Sequence, residues 1–352
     1  MRKETYIYLD IEAALVRVRQ HIIEIGAVKW LPNGEVETFS QLIQPYKLKK
    51  LSKRIQNLTG IQTEDLLTAP SFKHVMKDFI DWSKGDTIFV TFGEFDRKVL
   101  EEELSRIYMN RSFLYPIIDF QQKYMIEHQL KTQPSLSQLM EQFNVTTEQQ
   151  HRALHDAITL YQIFEESNGL RMIEKQKTNQ FALLLSENRQ GDEEIEVLLT
   201  YITGEIYPTK MNIHSIESIQ KTLTCIKREK EEVQEDGTLL KTEYNEIVPN
   251  EEIAHFLHEV AQDISNKVLI TRSGLKQLSR MNRLHHCTLP KTEVMTLQNL
   301  LLDAEALNRF TINGQSLHTY EQRLYKLLYQ YKNKLIEEFK KRNLFTEVEV
   351  KI

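Results

Sequence analysis

Residues 6–12 read Tyr6-Ile7-Tyr8-Leu9-Asp10-Ile11-Glu12, and the two acids that end this run decide how the chain is read. A short apolar run, Tyr6 to Ile11, suits a buried strand. Successive side chains of a strand alternate faces, so Asp10 and Glu12 point the same way. Two carboxylates side by side repel, and each is costly to take out of water. A divalent cation between them resolves the conflict, and Mg²⁺ favours such oxygen ligands. An Asp-x-Glu also arises by chance at strand ends where both acids are solvated. The pair therefore needs support from elsewhere in the chain.

Outward from this strand, residues 21–30 (HIIEIGAVKW) form a second apolar run. Pro32-Asn33-Gly34 supplies turn chemistry, and Val36 to Ile43 returns as a third strand, so the pair reads as a hairpin. Ser71 to Trp82 carries apolar residues at helical spacing, Phe72, Val75, Met76, Phe79 and Ile80. Thr87 to Thr91 is a fourth strand, Phe95 to Tyr108 a helix, and Leu114 to Ile118 a fifth strand closed by Asp119. Short helices follow from about Phe120 and Ser135, and Ala153 to Glu166 is a strong helix. The order β-β-β-α-β-α-β-α predicts a mixed sheet flanked by helices, an RNase H-like α/β core.

A polar stretch at 171–180 (RMIEKQKTNQ) marks a boundary, giving domains of 1–175 and 176–352. The second is again α/β, or α+β. Its expected strands are Phe181–Leu185, Val197–Ile202 and Lys267–Thr271, with a charged hairpin whose arms are 222–228 and 239–247, turning at Asp236-Gly237. Helices are expected at Ile253–Ile264, at Leu275–Leu284 and, as one long element, at about Thr319–Arg342. Ile-Val-Pro at 247–249 echoes Ile-Gln-Pro at 43–45, and a helix, a strand and a helix follow both. Two readings stand: a degenerate repeat of the first domain, or an unrelated domain with similar local grammar. Under the repeat, the position matching Asp96 falls near Lys276, where no acid stands.

Two further stretches carry acids. Asp96 follows the fourth strand at the start of a helix, where the helix dipole alone would favour an acid. Asp156 falls in the first turns of the helix from Ala153, with His151 five residues earlier in the preceding loop. That spacing lets the imidazole lean over the carboxylate, and a histidine suits proton abstraction from an attacking water. His155 is a rival base, but its place beside Asp156 turns it to another helical face.

At this point the chain resembles the DEDDh (DnaQ-like) 3′→5′ exonucleases. The stretches that carry the resemblance are YIYLDIE with HIIEIGAVKW, FVTFGEFDRKVL at 89–100, HRALHDAITLYQIF at 151–164, and LSKRIQNLTGI at 51–61. The resemblance implies two Mg²⁺ or Mn²⁺ ions. Asp10, Glu12 and Asp156 would hold one, Asp10 would share a second, Asp96 would complete the quartet, and His151 would be the general base. It implies hydrolysis at single-stranded RNA or DNA 3′ ends with release of nucleoside 5′-monophosphates. Two departures bear on substrate. Ala13-Ala14-Leu15 stand where many members carry threonines and a glycine, so at Ala13 and Leu15 only backbone and apolar contacts to a terminal nucleotide remain. Phe92-Gly93 stand where proofreading members carry His-Asn, which is similar to the branch of RNA-trimming and KapD-type exonucleases and tilts the reading to RNA over DNA. A catalytically weak or inactive nucleic-acid binder on the same fold, or a DNA proofreading or repair exonuclease, are the alternatives.

Composition bounds the rest. The 352 residues are 41% hydrophobic and 27% charged, with net charge −5, which fits a globular protein and argues against binding long duplexes by charge alone. Lys49, Lys50, Lys53 and Arg54, with Lys47, form a local basic rim for a strand, or an ordinary solvated loop. The C-terminal helix mixes tyrosines with lysines and arginines, either a nucleic-acid platform or an amphipathic packing helix. Cys225 and Cys287 read as reduced structural thiols. No apolar run approaches the roughly 20 residues of a membrane helix, and the N-terminus reaches an acid before any signal-peptide core, so a cytoplasmic protein is expected.

Overall fold

The computed structural model describes residues 3–147, 151–191, 193–233, 239–272, 275–297 and 316–346. The chain divides into two units, Met1–Lys177 with Phe339–Leu344, and Thr178–Glu338 with Phe345–Ile352. In the first, β1 (Thr5–Val16), β2 (Arg19–Trp30) and β3 (Val36–Leu42) form an antiparallel meander. Helices α1 (Lys53–Thr59), α2 (Thr63–Thr68) and α3 (Phe72–Trp82) lead to β4 (Thr87–Thr91), and α4 (Phe95–Arg106) leads to β5 (Ile117–Asp119). Helices α5 (Phe120–Glu127), α6 (Leu136–Phe143), α7 (Ala153–Glu166) and α8 (Gly169–Lys175) complete it. The sheet order is β3-β2-β1-β4-β5, with β4 and β5 parallel to β1, the mixed RNase H-like arrangement expected.

Strand alternation builds two cores. Ile7, Leu9 and Ile11 of β1 pack with Val75, Met76 and Phe79 of α3 and Leu100 and Leu104 of α4. Tyr6 and Tyr8, on the other face, pack with Leu160, Ile163 and Phe164 of α7 and Met172 and Ile173 of α8. Asp10 and Glu12 continue the Tyr6-Tyr8 face, which leaves two acids pointing at the α7 side of the sheet.

Helix α7 lies on that face at very short range. A Cβ placed on Gly26 of β2 would sit 2.1 Å from the backbone nitrogen of Leu154. Only hydrogen fits there, and Gly26 lies directly opposite Asp10. The glycine therefore sets how near the first turn of α7 comes to the acids of β1.

Several expectations are corrected. Helices α1 and α2 stand where no element is expected, so Lys53 and Arg54 lie on a helix rather than in a solvated loop. These pieces are too short to show periodicity, and caps and burial make them. Ser52 caps α1 by accepting from the Ile55 nitrogen at 3.3 Å, Gly60 ends it at φ 75°, and Leu51, Ile61 and Leu66 pack beneath Ala14 and Ile23. Residues 112–114 are a 3₁₀ turn, which shortens the fifth strand to Ile117–Asp119. The polar boundary at 171–180 begins as α8, anchored by Met172 and Ile173.

The second unit holds β6 (Gln180–Gln190), β7 (Glu194–Ile206), β8 (Met211–Val233), β9 (Leu239–Ile247), α9 (Glu251–Asp263), β10 (Val268–Thr271), α10 (Lys276–Leu284), β11 (Val294–Thr296), α11 (Leu317–Gln330) and α12 (Lys332–Lys341) up to Glu338. Its sheet order is β11-β10-β6-β7-β8-β9. The expected arm at 222–228 belongs to a 23-residue strand that pairs first with β7 and then with β9. The turn at Asp236-Gly237 lies outside the described residues. The long C-terminal helix is two helices, parted at Tyr331. Cys225 and Cys287 are free and buried. Among the described residues no helix is long and apolar enough to cross a membrane.

With β9 set aside, the second sheet repeats the first strand for strand. The hairpin β6-β7-β8 takes the place of β1-β2-β3, and the parallel strands β10 and β11 take those of β4 and β5. The echo of Ile-Val-Pro with Ile-Gln-Pro is thus out of register, because β9 has no counterpart in the first sheet.

Replacing Gly26 with alanine should force α7 away from β2. We expect a loss of at least about 2 kcal/mol in urea unfolding, as for an overpacked core, and a melting temperature unchanged within one degree would refute the close approach.

Candidate active site

The acids named from three separate stretches meet beside the middle of β1. Asp10 and Glu12 come from β1, Asp96 from the first turn of α4, and Asp156 from the first turn of α7. The Asp10 carboxyl is raised well above its ordinary range, first by burial and then by the neighbouring charges of Asp96, Asp156, Glu12 and Glu24. Burial also raises Asp96, against the backbone N–H of Ile11 that donates to it. Glu12 is pushed up to about 7 by burial and by Asp156 and Glu24. Asp156 is raised by burial, with His151 and His155 pulling the other way. Each acid thus resists ionising, for lack of water and because of its neighbours.

Glu12, His151 and Asp156 offer donor atoms all within 4.8 Å of one another. Asp10 and Asp96 fall outside that tight trio among the described residues, although both lie within electrostatic reach of it. His151 is exposed and sits at φ 59°, and its backbone N–H donates to Asp156 Oδ2 at 3.1 Å. The left-handed backbone at His151 is uncommon for a residue with a Cβ.

Three residues of the site were not singled out from the sequence. Glu24 of β2 lies opposite Glu12 and is 1% exposed. Arg152 holds it with a forked contact, Nη2 at 2.7 Å and Nε at 3.1 Å from Oε1, and the backbone N–H of Ala153 adds 3.1 Å to Oε2. This clamp fastens the turn bearing His151 and the start of α7 to the sheet. Asp119, at the end of β5, accepts from the Gly93 nitrogen at 2.9 Å and so fixes the turn before Asp96. An acid at position 24 inside an apolar strand was the available signal, the same one that marks Asp10 and Glu12.

The residues named as strand contacts are more dispersed. Lys49, Lys50, Lys53 and Arg54 are all exposed and form no ion pair among the described residues. Helix α2, next to them, carries Asp65 within electrostatic reach of Arg152. Leu15 is 67% exposed on the β1 extension, and Ala13 is half-buried just past a register shift at Glu12. Phe92 is half-buried against the α7-side core, whereas Phe95, beside Asp96, is 51% exposed.

A family model described as an exonuclease matches residues 7–164. The chain is similar to a probable 3′-5′ exonuclease, KapD, of Bacillus subtilis (strain 168), at 30% identity over 147 residues, which cover 41% of this chain and 71% of that relative. It is similar to a DNA polymerase III PolC-type of the same organism at 28% identity over 157 residues, 44% of this chain and 11% of the polymerase, so it spans about a tenth of that protein. Among solved structures, the nuclease domain of 3′hExo, a DEDDh family member, bound to rAMP, aligns at 22% identity and a TM-score of 0.42, covering 48% of this chain and 92% of that one.

The raised acids make a pH signature. A carboxyl whose folded-state pKa lies above its unfolded value stabilises the fold below the ordinary carboxylate range, and that stability is lost as pH rises through its folded pKa. With chelator present, the melting temperature should fall between pH 5 and pH 8 as the cluster, including Glu12 near 7, loses its protons. Asp10→Asn should raise the chelated protein's melting temperature at pH 8 by roughly 2–4 °C per kcal/mol of relieved repulsion. Calorimetry reads both, and a lower melting temperature for the variant at pH 8 would contradict the shared cluster.

Proposed function

Because the chain belongs to the DEDDh-type 3′–5′ exonuclease family, we propose that its first unit removes nucleotides one at a time from the 3′ end of single-stranded nucleic acid, RNA ahead of DNA, and releases nucleoside 5′-monophosphates. One observation carries this reading: the Asp10 carboxyl feels Glu12, Asp96 and Asp156 at once. A buried, mutually repelling set of carboxylates fits hard divalent cations, Mg²⁺ or Mn²⁺. Asp10, Glu12 and Asp156 would hold one ion, Asp10 would share a second, and Asp96 completes the set. Bound there, the pair would supply Lewis acidity at the scissile phosphate.

The chain's own residues supply the rest. The imidazole of His151 takes the proton of the attacking water as the terminal phosphodiester opens toward the departing 3′ oxygen. Its exposure leaves the ring free to exchange that proton with solvent, and the backbone bond to Asp156 keeps it at the rim of the cluster. The Arg152–Glu24 clamp positions this turn. The exposed Phe95 and Leu15 offer apolar surface for the terminal base and sugar, and the cations at 49–54 offer phosphate contacts.

RNA is favoured by the Phe92-Gly93 pair, and a DNA substrate by the similarity to a polymerase of DNA. Single strands of RNA and DNA labelled at the 3′ or the 5′ end, incubated with Mg²⁺, Mn²⁺ or EDTA, discriminate among the readings. Stepwise, metal-dependent shortening from the 3′ end, faster on RNA, is the expected outcome. Retained binding without cleavage would instead identify a non-catalytic binder.

Asp10→Ala should abolish turnover, and His151→Ala should lower the rate by roughly 10²–10⁴ while leaving strand affinity intact; near-normal single-turnover rates in Asp10→Ala would rule out the cluster as the centre. Replacing Lys49, Lys50, Lys53 and Arg54 together should weaken binding and flatten its dependence on salt. An unaltered slope of log affinity against log salt would remove the rim from the strand path.

A further inference from the structure

The registers of the two sheets allow their positions to be equated. In the first unit Val90 pairs with Tyr8 of β1 and Ile118 of β5, and in the second Ile270 pairs with Leu183 of β6 and Met295 of β11. The neighbours Ile7 and Phe89 pack with α3 and α4 as Ala182 and Leu269 pack with α9 and α10, which fixes the faces. Two residues beyond Tyr8 stands Asp10, and two beyond Leu183 stands Leu185. Four beyond stand Glu12 and Glu187. Asp96 follows the end of β4 by five residues, and Lys276 follows the end of β10 by five. Asp156 is the fourth residue of α7, and Tyr320 the fourth of α11. One acid in four is kept.

The setting of that one acid has changed. Gly26, which lies opposite Asp10, has as its equivalent Thr200, opposite Leu185. A threonine side chain therefore stands where hydrogen alone fits in the first unit. Tyr320 of α11 lies near both Thr200 and Glu187. It is 3% exposed, and its hydroxyl is raised first by burial and then by the neighbouring Glu187. Glu187 has Arg272 Nη1 at 3.6 Å, and Arg272 occupies the position equivalent to Phe92. Leu198 replaces Glu24, so the clamp on the helix start is gone as well.

We propose that the second unit is a duplicated, silent copy of the first, in which the Arg272 guanidinium stands in for the divalent ions beside the surviving Glu187, so that this unit binds no catalytic metal and cleaves nothing. An acid left alone in that setting would be a buried charge without a counter-ion, and a fixed internal cation removes the need for a soluble one. The residues present do not fit a metal pair: a leucine, a tyrosine and a lysine stand at three of the four ligand positions. The inference rests on the metal-dependent reading of the first unit only for the comparison of the two sites.

Mn²⁺ titration of the full chain, followed by electron paramagnetic resonance of the free ion, tests this apart from activity. All tightly bound Mn²⁺ should disappear in the Asp10→Ala/Asp156→Ala double variant. Glu187→Gln should leave the number of bound ions unchanged and turnover within twofold of the parent. Tight Mn²⁺ remaining in the double variant and removed by adding Glu187→Gln would overturn the proposal. A parent chain that binds no Mn²⁺ and cuts nothing would defeat the proposed function while leaving the second unit metal-free. The stand-in role has its own readout. Arg272→Met should lower the melting temperature by roughly 5 °C or more, and adding Glu187→Gln should recover most of that loss. No recovery in the double variant would reject Arg272 as the counter-ion of Glu187.

Discussion

Repulsion among carboxylates that share a buried space is the constraint on which the first unit is organised. Asp10 lies among Glu12, Asp96, Asp156 and Glu24, and burial and like charge push the cluster's acids toward the protonated form. Such an arrangement opposes folding at neutral pH and persists only where other interactions over-determine it. The flanking cores do so. The Ile7-Leu9-Ile11 face is locked against α3 and α4, and the Tyr6-Tyr8 face against α7 and α8. Each fully buried aliphatic side chain contributes about 1.5–3 kcal/mol, so a handful offsets the repulsion.

Two local devices convert that stability into position. Gly26 lets α7 touch the sheet, and without that contact Asp156 would stand a side chain's width farther from β1. The Arg152–Glu24 fork then pins the turn just ahead of α7. Glu24 is an acid of the site held by a forked guanidinium contact, which separates it from Asp10, raised by burial and by every carboxylate around it. Arg152 is itself one-third exposed, so the pair is desolvated on the glutamate side more than on the arginine side.

The second unit makes the same point in reverse. Its sheet keeps the topology, yet Thr200 stands where the glycine was, Tyr320 where the helix acid was, and Arg272 beside the one remaining glutamate. A fold of this kind does not need its acids to be stable. Tyr320 in place of the helix acid and Arg272 beside Glu187 remove like-charge repulsion rather than cohesion. The clustered acids of the first unit are therefore an added burden on the architecture and not part of what holds it together.

Much of this was legible in the linear chain. Apolar runs marked β1, β2 and β4, turn chemistry marked β3, and helical spacing marked α3 and α4, because burial against a core leaves its trace on each segment by itself, whereas β5 starts three residues later than the apolar run from Leu114 suggests. The acids Asp10, Glu12, Asp96 and Asp156 stood out because each interrupts or borders an apolar run. Helices α1, capped by Ser52 and Gly60, and α2, opened by the Gln62–Asp65 capping box, have no such period and leave no mark in the linear chain. What no segment contains is the distance between segments. That Asp96 and Asp156 reach Asp10, that Glu24 is claimed by Arg152 128 residues away, and that Phe92 is tucked against the core while Phe95 is exposed, were decided by how the helices pack on the sheet. Packing depends on which side chains fill the space between elements, as a glycine in one sheet and a threonine in the other illustrate, and that is a property of pairs of segments rather than of either one alone.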